Sequence, residues 1–280
     1  MTSLGPSADQ RRVLKDVAAS RDQRGVTIQR VGVKDVHLPA QIRRKEGGFD
    51  AVLARVELTA GLPHQFRGTH MSRFLEALFK WSQRPIASPD IRAMLEEVRA
   101  ELEAPSAYIS IKFKYFIAKR APVSGAESFL DYDCEFNGAL TGEGYVFTLG
   151  VEAPVTLLCP CSREISIAGA HNQRGVLRVR VRYKPDGIIW IEDLVRELER
   201  HGSAEVFPLL KREDEKQVTE QAYANPKFVE DVVRDTVVAL RGDRRLTWFE
   251  VECESYESIH NHSVYAYQQE QRTERGHARP

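Results

Sequence analysis

The sequence predicts an α+β fold built from two successive units, each of order β-β-α-α-β-β, with helices covering one face of an antiparallel sheet. Three observations carry this. Eight segments read as extended, and four of them alternate apolar and polar residues, the signature of half-buried strands. Four segments repeat apolar residues at helical spacing. The order of the elements then recurs once along the 280 residues.

In the first unit, residues 32–40 read as extended, and in residues 51–62 Val52, Ala54, Val56 and Leu58 alternate with polar or smaller neighbours. Residues 72–82 carry Phe74, Leu75, Leu78 and Phe79 on one stripe. The next helix opens on Ser88-Pro89-Asp90, a cap residue, a proline at the first helical position and an acid at the positive dipole end. It presents Ile91, Met94, Leu95, Val98 and Leu102 at helical spacing. Two strands return, one alternating through Ile109, Ile111, Phe113, Tyr115 and Ile117, the other over residues 129–140.

The second unit repeats the plan. Tyr145, Phe147, Leu149 and Val151 alternate, as do Leu177, Val179, Val181 and Tyr183 against Arg178, Arg180 and Arg182. A helix buries Ile191, Leu194, Val195 and Leu198. Another starts at Asn225-Pro226 and buries Phe228, Val229, Val232, Val233 and Val237. Strands near 248–256 and 263–267 close the unit. The expected organisation is an N-terminal extension (1–25), a first unit (26–141), a second unit (142–268) and a polar, flexible tail (269–280). A free sheet face carrying Arg178, Arg180 and Arg182 tolerates water, and assembly into a ring or barrel would close the sheet edges.

Lys and Arg number 40, as do Asp and Glu, so bulk charge argues against a nucleic-acid or membrane-surface partner. No apolar run approaches the roughly 20 residues that span a bilayer. Arg11, Arg12 and Lys15 are followed by no apolar stretch, so a signal peptide is not expected and the cytoplasm is the predicted compartment. Cys134 and Cys253 lie in predicted strands and read as small buried hydrophobes.

The densest chemistry is Cys159-Pro160-Cys161-Ser162-Arg163-Glu164-Ile165-Ser166, followed by Gly169-Ala170-His171-Asn172-Gln173-Arg174. In an extended segment both thiols face one side, and His171 lies on a loop able to fold back. A thiolate and an imidazole make half of a catalytic divalent-metal site, which needs about three protein ligands and an open position. Ordinary burial is the alternative. In Glu257-Ser258-Ile259-His260-Asn261-His262 the two histidines share a side if extended; a solvated loop is the bland reading. The charge run Lys211-Arg212-Glu213-Asp214-Glu215-Lys216 reads as a solvated loop from which one carboxylate could complete a metal shell. Glu230 suits a helix dipole. His64, Arg67, His70 and Arg73 flank a helix start suited to phosphate, with Thr69 as a plain cap the alternative.

Taken in order, these strings resemble the type IB GTP cyclohydrolases, as do Gly68-Thr69-His70-Met71-Ser72-Arg73-Phe74, Asn225-Pro226-Lys227-Phe228-Val229-Glu230-Asp231 and Ser20-Arg21-Asp22 with Arg24-Gly25-Val26. The resemblance runs from about residue 16 to 267. It implies the tunnelling fold, two units per chain, a homotetramer with active sites at subunit interfaces, and conversion of GTP and water to 7,8-dihydroneopterin triphosphate and formate, the first step of pterin and folate synthesis. It further implies Cys159, His171 and Glu213 as metal ligands, and Cys161 and His260 as catalytic neighbours of the metal, either as alternative ligands or in proton transfer. Glu230 becomes the guanine anchor, and Arg73, Lys211 and Arg212 cations for the triphosphate. The ion expected is Zn²⁺ or Mn²⁺, with Fe²⁺, Co²⁺ and Mg²⁺ as further candidates. Two other readings are a tunnelling-fold deazaguanine nitrile reductase, which needs a reductant and no metal, and a non-catalytic zinc-stabilised binding module, which needs a closed four-ligand site.

Overall fold

Val52, Ala54, Val56 and Leu58 do share the buried side of β2 (Phe49–Leu62), which pairs antiparallel with β1 (Ile28–Arg43). The computed structural model describes residues 16–18, 20–273 and 276–277. After β2 the chain runs α1 (Met71–Ser82), β3 (Pro85–Ile86), α2 (Ser88–Leu102), β4 (Ala107–Arg120) and β5 (Glu127–Thr141). It continues through β6 (Gly144–Leu158), α3 (Pro160–Ile165), β7 (Asn172–Tyr183), α4 (Ile191–Glu199) and β8 (Ala204–Glu205). The last elements are α5 (Arg212–Ala224), α6 (Val229–Gly242), β9 (Leu246–Ser255), β10 (Val264–Thr273) and β11 (Gly276–His277).

Among the described residues the strands form one large, mostly antiparallel sheet in the order β11-β10-β9-β7-β6-β5-β4-β2-β1-β3, with β8 on β6. The fold class is α+β. The sheet is continuous where the two predicted units meet, because β5 pairs with β6 from Thr141↔Gly144 to Asp133↔Glu152. Apolar residues from both halves merge into a single core. Ile91, Met94, Leu95 and Val98 seat α2 on it, and Val232, Val233, Val237 and Leu240 seat α6; each such side chain contributes about 1.5–3 kcal/mol when fully buried. No helix among the described residues is long and apolar enough to cross a membrane.

A buried polar cluster also joins the halves. Lys119 on β4 donates to Glu199 at the end of α4 (2.7 Å), to Glu205 on β8 (3.0 Å) and to the Val206 carbonyl (2.9 Å), while the Tyr132 hydroxyl donates to Glu199 (2.7 Å). Burial makes each of these charges dependent on its partner.

Several local expectations are corrected. The Asn225-Pro226 pair does not start a helix: Asn225 ends α5 and its amide donates to the Gly202 and Ser203 carbonyls, and α6 starts at Val229, where the Asp231 carboxylate accepts the Phe228 N–H. The α2 cap is likewise Asp90 accepting the Ala87 N–H at 2.8 Å, not the Ser88 hydroxyl. Thr69 is not the α1 cap, a position held by His70. The 211–216 charge run is helical, forming the first turns of α5, because Asp214 is fully buried and hydrogen-bonded. The polar 268–273 stretch is the outer half of β10, with Glu270 buried against Arg241. The free sheet face is not basic. Arg178 reaches Glu152, Glu252 and Glu254, and Arg180 reaches Glu250, so cross-strand carboxylates neutralise the arginine row. The described part of the N-terminal extension docks on the loop before α1, with Gly68 N–H donating to Ala18 and Arg67 N–H to Ser20; Arg11, Arg12 and Lys15 lie outside the described residues.

Candidate active site

Three strand ends converge at one edge of the second half. Here β6 leaves the sheet at Leu158, β7 enters at Asn172 and β9 ends at Ser255, in the register Leu158↔Asn172 and Gly175↔Ser255. The close approach requires glycine at 175, where a Cβ would sit 2.7 Å from Leu157 Cδ1 and 2.8 Å from the Glu254 carbonyl. After Leu158 the chain turns into α3 with Cys159 as its N-cap, so Pro160 stands at the first helical position, where no amide is missed. The Ser162 N–H donates to Cys159 Sγ (3.4 Å). Two bonds close the loop: Cys159 N–H to the His171 carbonyl (3.1 Å) and His171 N–H to Ser162 Oγ (3.2 Å). Cys159 and His171, twelve positions apart in sequence, are thereby held side by side.

The side chain of His171 is oriented by a network that approaches it from β7 and from the β9–β10 loop. Its Nδ1 lies 3.0 Å from Gln173 Oε1. The Gln173 amide donates in turn to Glu257 Oε1 (3.1 Å) and Ser255 Oγ (3.2 Å), and the Ser255 hydroxyl donates to the same Glu257 oxygen (2.8 Å). With Gln173 offering its carbonyl oxygen, Nδ1 is the donor, so in the neutral ring the lone pair belongs to Nε2. Glu257 Oε2 stands 4.0 Å from Nδ1, so Glu257 supports the imidazole while itself lining the same cavity.

A cavity of about 320 Å³ opens beside this network, lined by Cys159, His171, Gln173, Glu230, Glu257, His260 and His262, with Lys227 and Phe228 at the start of α6. That volume is at the lower end of the range for small-molecule sites. Glu230 reaches it from the first turn of α6, and the His260 and His262 rings stack with centroids 5.2 Å apart. Glu230, His260 and His262 are exposed, so this wall is open to solvent in the single chain.

The structure thus brings together Cys159, His171, Glu230 and His260. It does not bring Cys161 to the cavity. Because Pro160 starts a helix, residues two apart fall on opposite sides and Cys161 is exposed on the outer surface of α3; the expectation that both thiols face one side is corrected. Glu213, Lys211 and Arg212 sit exposed at the start of α5, outside the cavity lining. That helix nevertheless packs beside the site, since Ala222 and Val218 contact Leu158 and Ala170, the neighbours of Cys159 and His171. Arg73 lies on α1 in the other half, bonded to the Glu101 carbonyl. Gln173 and Glu257, which no sequence motif singles out, orient His171. Their signal is the β7–β9 register, which one sequence does not supply.

Among the described residues no three His, Cys, Asp or Glu side chains form a closed metal cluster. The donor chemistry nonetheless suits a divalent ion. Cys159 offers a sulfur and His171 an oriented imidazole nitrogen, an incomplete shell of borderline softness. Two donors fall one short of the roughly three protein ligands that a catalytic ion takes beside its open position, so a third would have to be brought to them.

A continuous antiparallel sheet with helices packed on it, and a polar cavity at the strand ends, define an α+β protein sharing the fold of uricase. Uricase from Arthrobacter globiformis superposes with a TM-score of 0.53 over 88% of this chain and 94% of that one, at 9% identity. At that identity the likeness concerns the fold alone. The chain belongs to the type I GTP cyclohydrolase FolE2 family, whose profile matches residues 14–266. It is 49% identical over 263 residues to GTP cyclohydrolase FolE2 of Geotalea uraniireducens, covering 94% of this chain and 96% of the relative. It is 51% identical over 253 residues to that of Pelobacter propionicus, covering 90% and 97%.

Proposed function

We propose that this chain is a GTP cyclohydrolase of the type IB kind, a cytoplasmic enzyme that converts GTP and water to 7,8-dihydroneopterin triphosphate and formate. The observation that carries the reading is the meeting of Cys159, His171, Glu230 and His260 around one cavity in a chain of this family. Ring opening adds water at C8 of guanine and cleaves C8–N9 to leave a formamide on N7; a second water cleaves N7–C8 and carries C8 away as formate, and closure of the pterin ring returns one water. Glu230 accepts the ring N–H and exocyclic amine of guanine, a pattern adenine does not present. His260 donates a proton at N7 as the ring accepts oxygen at C8. Cys159 and His171, with Glu213 as the candidate carboxylate, would hold Zn²⁺ or Mn²⁺. When bound, such an ion makes a water molecule acidic enough to serve as nucleophile near neutrality. Cys161 is kept as a proton-transfer candidate and Arg73, Lys211 and Arg212 as triphosphate cations.

Those last residues lie outside the cavity of the single chain, and Glu230 and His260 are exposed. Both facts support a site finished by a second copy, within the homotetramer that the family resemblance implies. The sheet order β1-β2-β4-β5 followed by β6-β7-β9-β10 supports reading the chain as two tandem tunnelling-fold units.

Incubating the protein with GTP and Mn²⁺ is expected to release formate in step with a fluorescent pterin after oxidation. No formate from a metal-loaded, folded preparation would end this reading. Gln173→Leu, which removes the acceptor at His171 Nδ1, is expected to weaken Mn²⁺ binding about 10–100-fold, the cost of losing an outer partner of a ligand. Wild-type affinity would mean that the ring is held by other means.

A further inference from the structure

The carboxylate of Asp214 is fully buried one residue after Glu213 and accepts four hydrogen bonds. One comes from its own helix start, Lys211 N–H to Oδ2 at 2.8 Å. Three come from the β4–β5 turn in the first half of the chain: Val123 N–H and Ser124 N–H to Oδ1, both at 2.8 Å, and the Ser124 hydroxyl to Oδ2 at 2.5 Å. Burial alone would raise this carboxyl's pKa, but the hydroxyl and the three amides outweigh it and hold the group well below the usual carboxylate range. Helix capping needs only the Lys211 bond. The other three do something more: they fasten the start of α5 to a turn more than 80 residues away in sequence.

The far part of α5 has its own anchor. Ala222 and Val218 pack on Leu158 and Ala170, and Tyr223 lies under the Arg163 guanidinium at 4.8 Å. Two attachments define the line of a helix. One is the site's own strand end, and the other is the Asp214 clamp. Residues 211–213, exposed immediately at the clamped end, have no other fixed point among the described contacts of their side chains apart from the helix itself.

We propose that Asp214 and Ser124 are positioning residues that hold residues 211–213 in place for the reaction, setting Glu213 for the ion and Lys211 and Arg212 for the triphosphate. This rests on the roles given to those three residues above. It makes the turn of the first half part of the apparatus of a site built on the second.

The test uses the full chain in three variants, Asp214→Asn, Ser124→Ala and Ser124→Thr, with Glu213→Gln beside them. Mn²⁺ affinity is measured by competition with a chelating dye, and KM and kcat for GTP and the urea midpoint are recorded. Asp214→Asn and Ser124→Ala are expected to weaken Mn²⁺ binding about 10–100-fold, as loss of outer partners does, and to raise KM for GTP. Ser124→Thr is expected to restore most of both. Parent-like Mn²⁺ affinity and KM in a folded Ser124→Ala overturn the proposal, and this variant decides if Asp214→Asn does not fold. Parent-like Mn²⁺ affinity in Glu213→Gln instead removes the ligand role of Glu213, and the clamp then stands or falls on KM. If the parent itself releases no formate, the enzymatic reading fails and the clamp is judged on Mn²⁺ affinity alone.

Discussion

Cys159→Ala is expected to lose bound Mn²⁺ and to lower kcat/KM for GTP by about 10³-fold or more, since an ion's contribution to such a barrier is several kcal/mol. The thiol sits at the turn between β6 and α3, with one amide donor on its sulfur and His171 fixed beside it. Alanine is tolerated sterically at a helix N-cap and leaves the β6 and β7 pairing intact, so the loss should be chemical. Metal analysis, formate release and a urea melt on one preparation check this. An alanine variant with a full complement of metal would assign the ligand role to another group. Cys161→Ala is the informative companion. On the outer side of α3, it should keep its metal, and a lowered kcat would support a proton-transfer role exercised across a subunit boundary.

Glu230→Gln is expected to leave metal content unchanged and to raise KM for GTP about 100-fold. The carboxylate would accept two charge-assisted bonds from guanine, each contributing about 1.5–3 kcal/mol; the amide keeps one acceptor and turns a donor towards a donor. Position 230 is exposed in the first turn of α6, and substitution there disturbs no core contact. Glutamine also removes a favourable charge from the helix start, which costs about 0.3–1 kcal/mol of stability and not of binding. Equilibrium binding of a non-hydrolysed GTP analogue separates the two effects. A variant with parental affinity would remove the guanine-anchoring role.

Much of the fold was legible because strand alternation and helix stripes are local. Val52 to Leu58, Ile109 to Ile117 and Leu177 to Val181 need no partner to declare a buried side. Where the local code is ambiguous, long-range contacts decide the structure. Asn225-Pro226 has the composition of a helix start, yet Asn225 spends its amide on the carbonyls of Gly202 and Ser203, which only the folded chain brings near. The charge run at 211–216 looks like a solvated loop until Asp214 is seen to be swallowed by a turn from the other half. Arg178 and Arg180 looked basic because their carboxylate partners sit on neighbouring strands. For the candidate site, the C-x-C string lies at the cavity through Cys159, but whether two thiols share a face depends on the backbone, and a helix at Pro160 decides against it.

The chain's own order of residues determined the α+β class, the strands and helices that build it, the family, and the four side chains at the cavity, because periodicity and long motifs are written in contiguous residues. Folding alone decided the rest: that the two halves share one sheet and one core, that Gln173 and Glu257 orient His171, and that Glu213 rides on a helix pinned by Ser124. Those outcomes depend on strand register and on long-range hydrogen bonds between residues tens of positions apart. Their energies exist only once the sheet has closed.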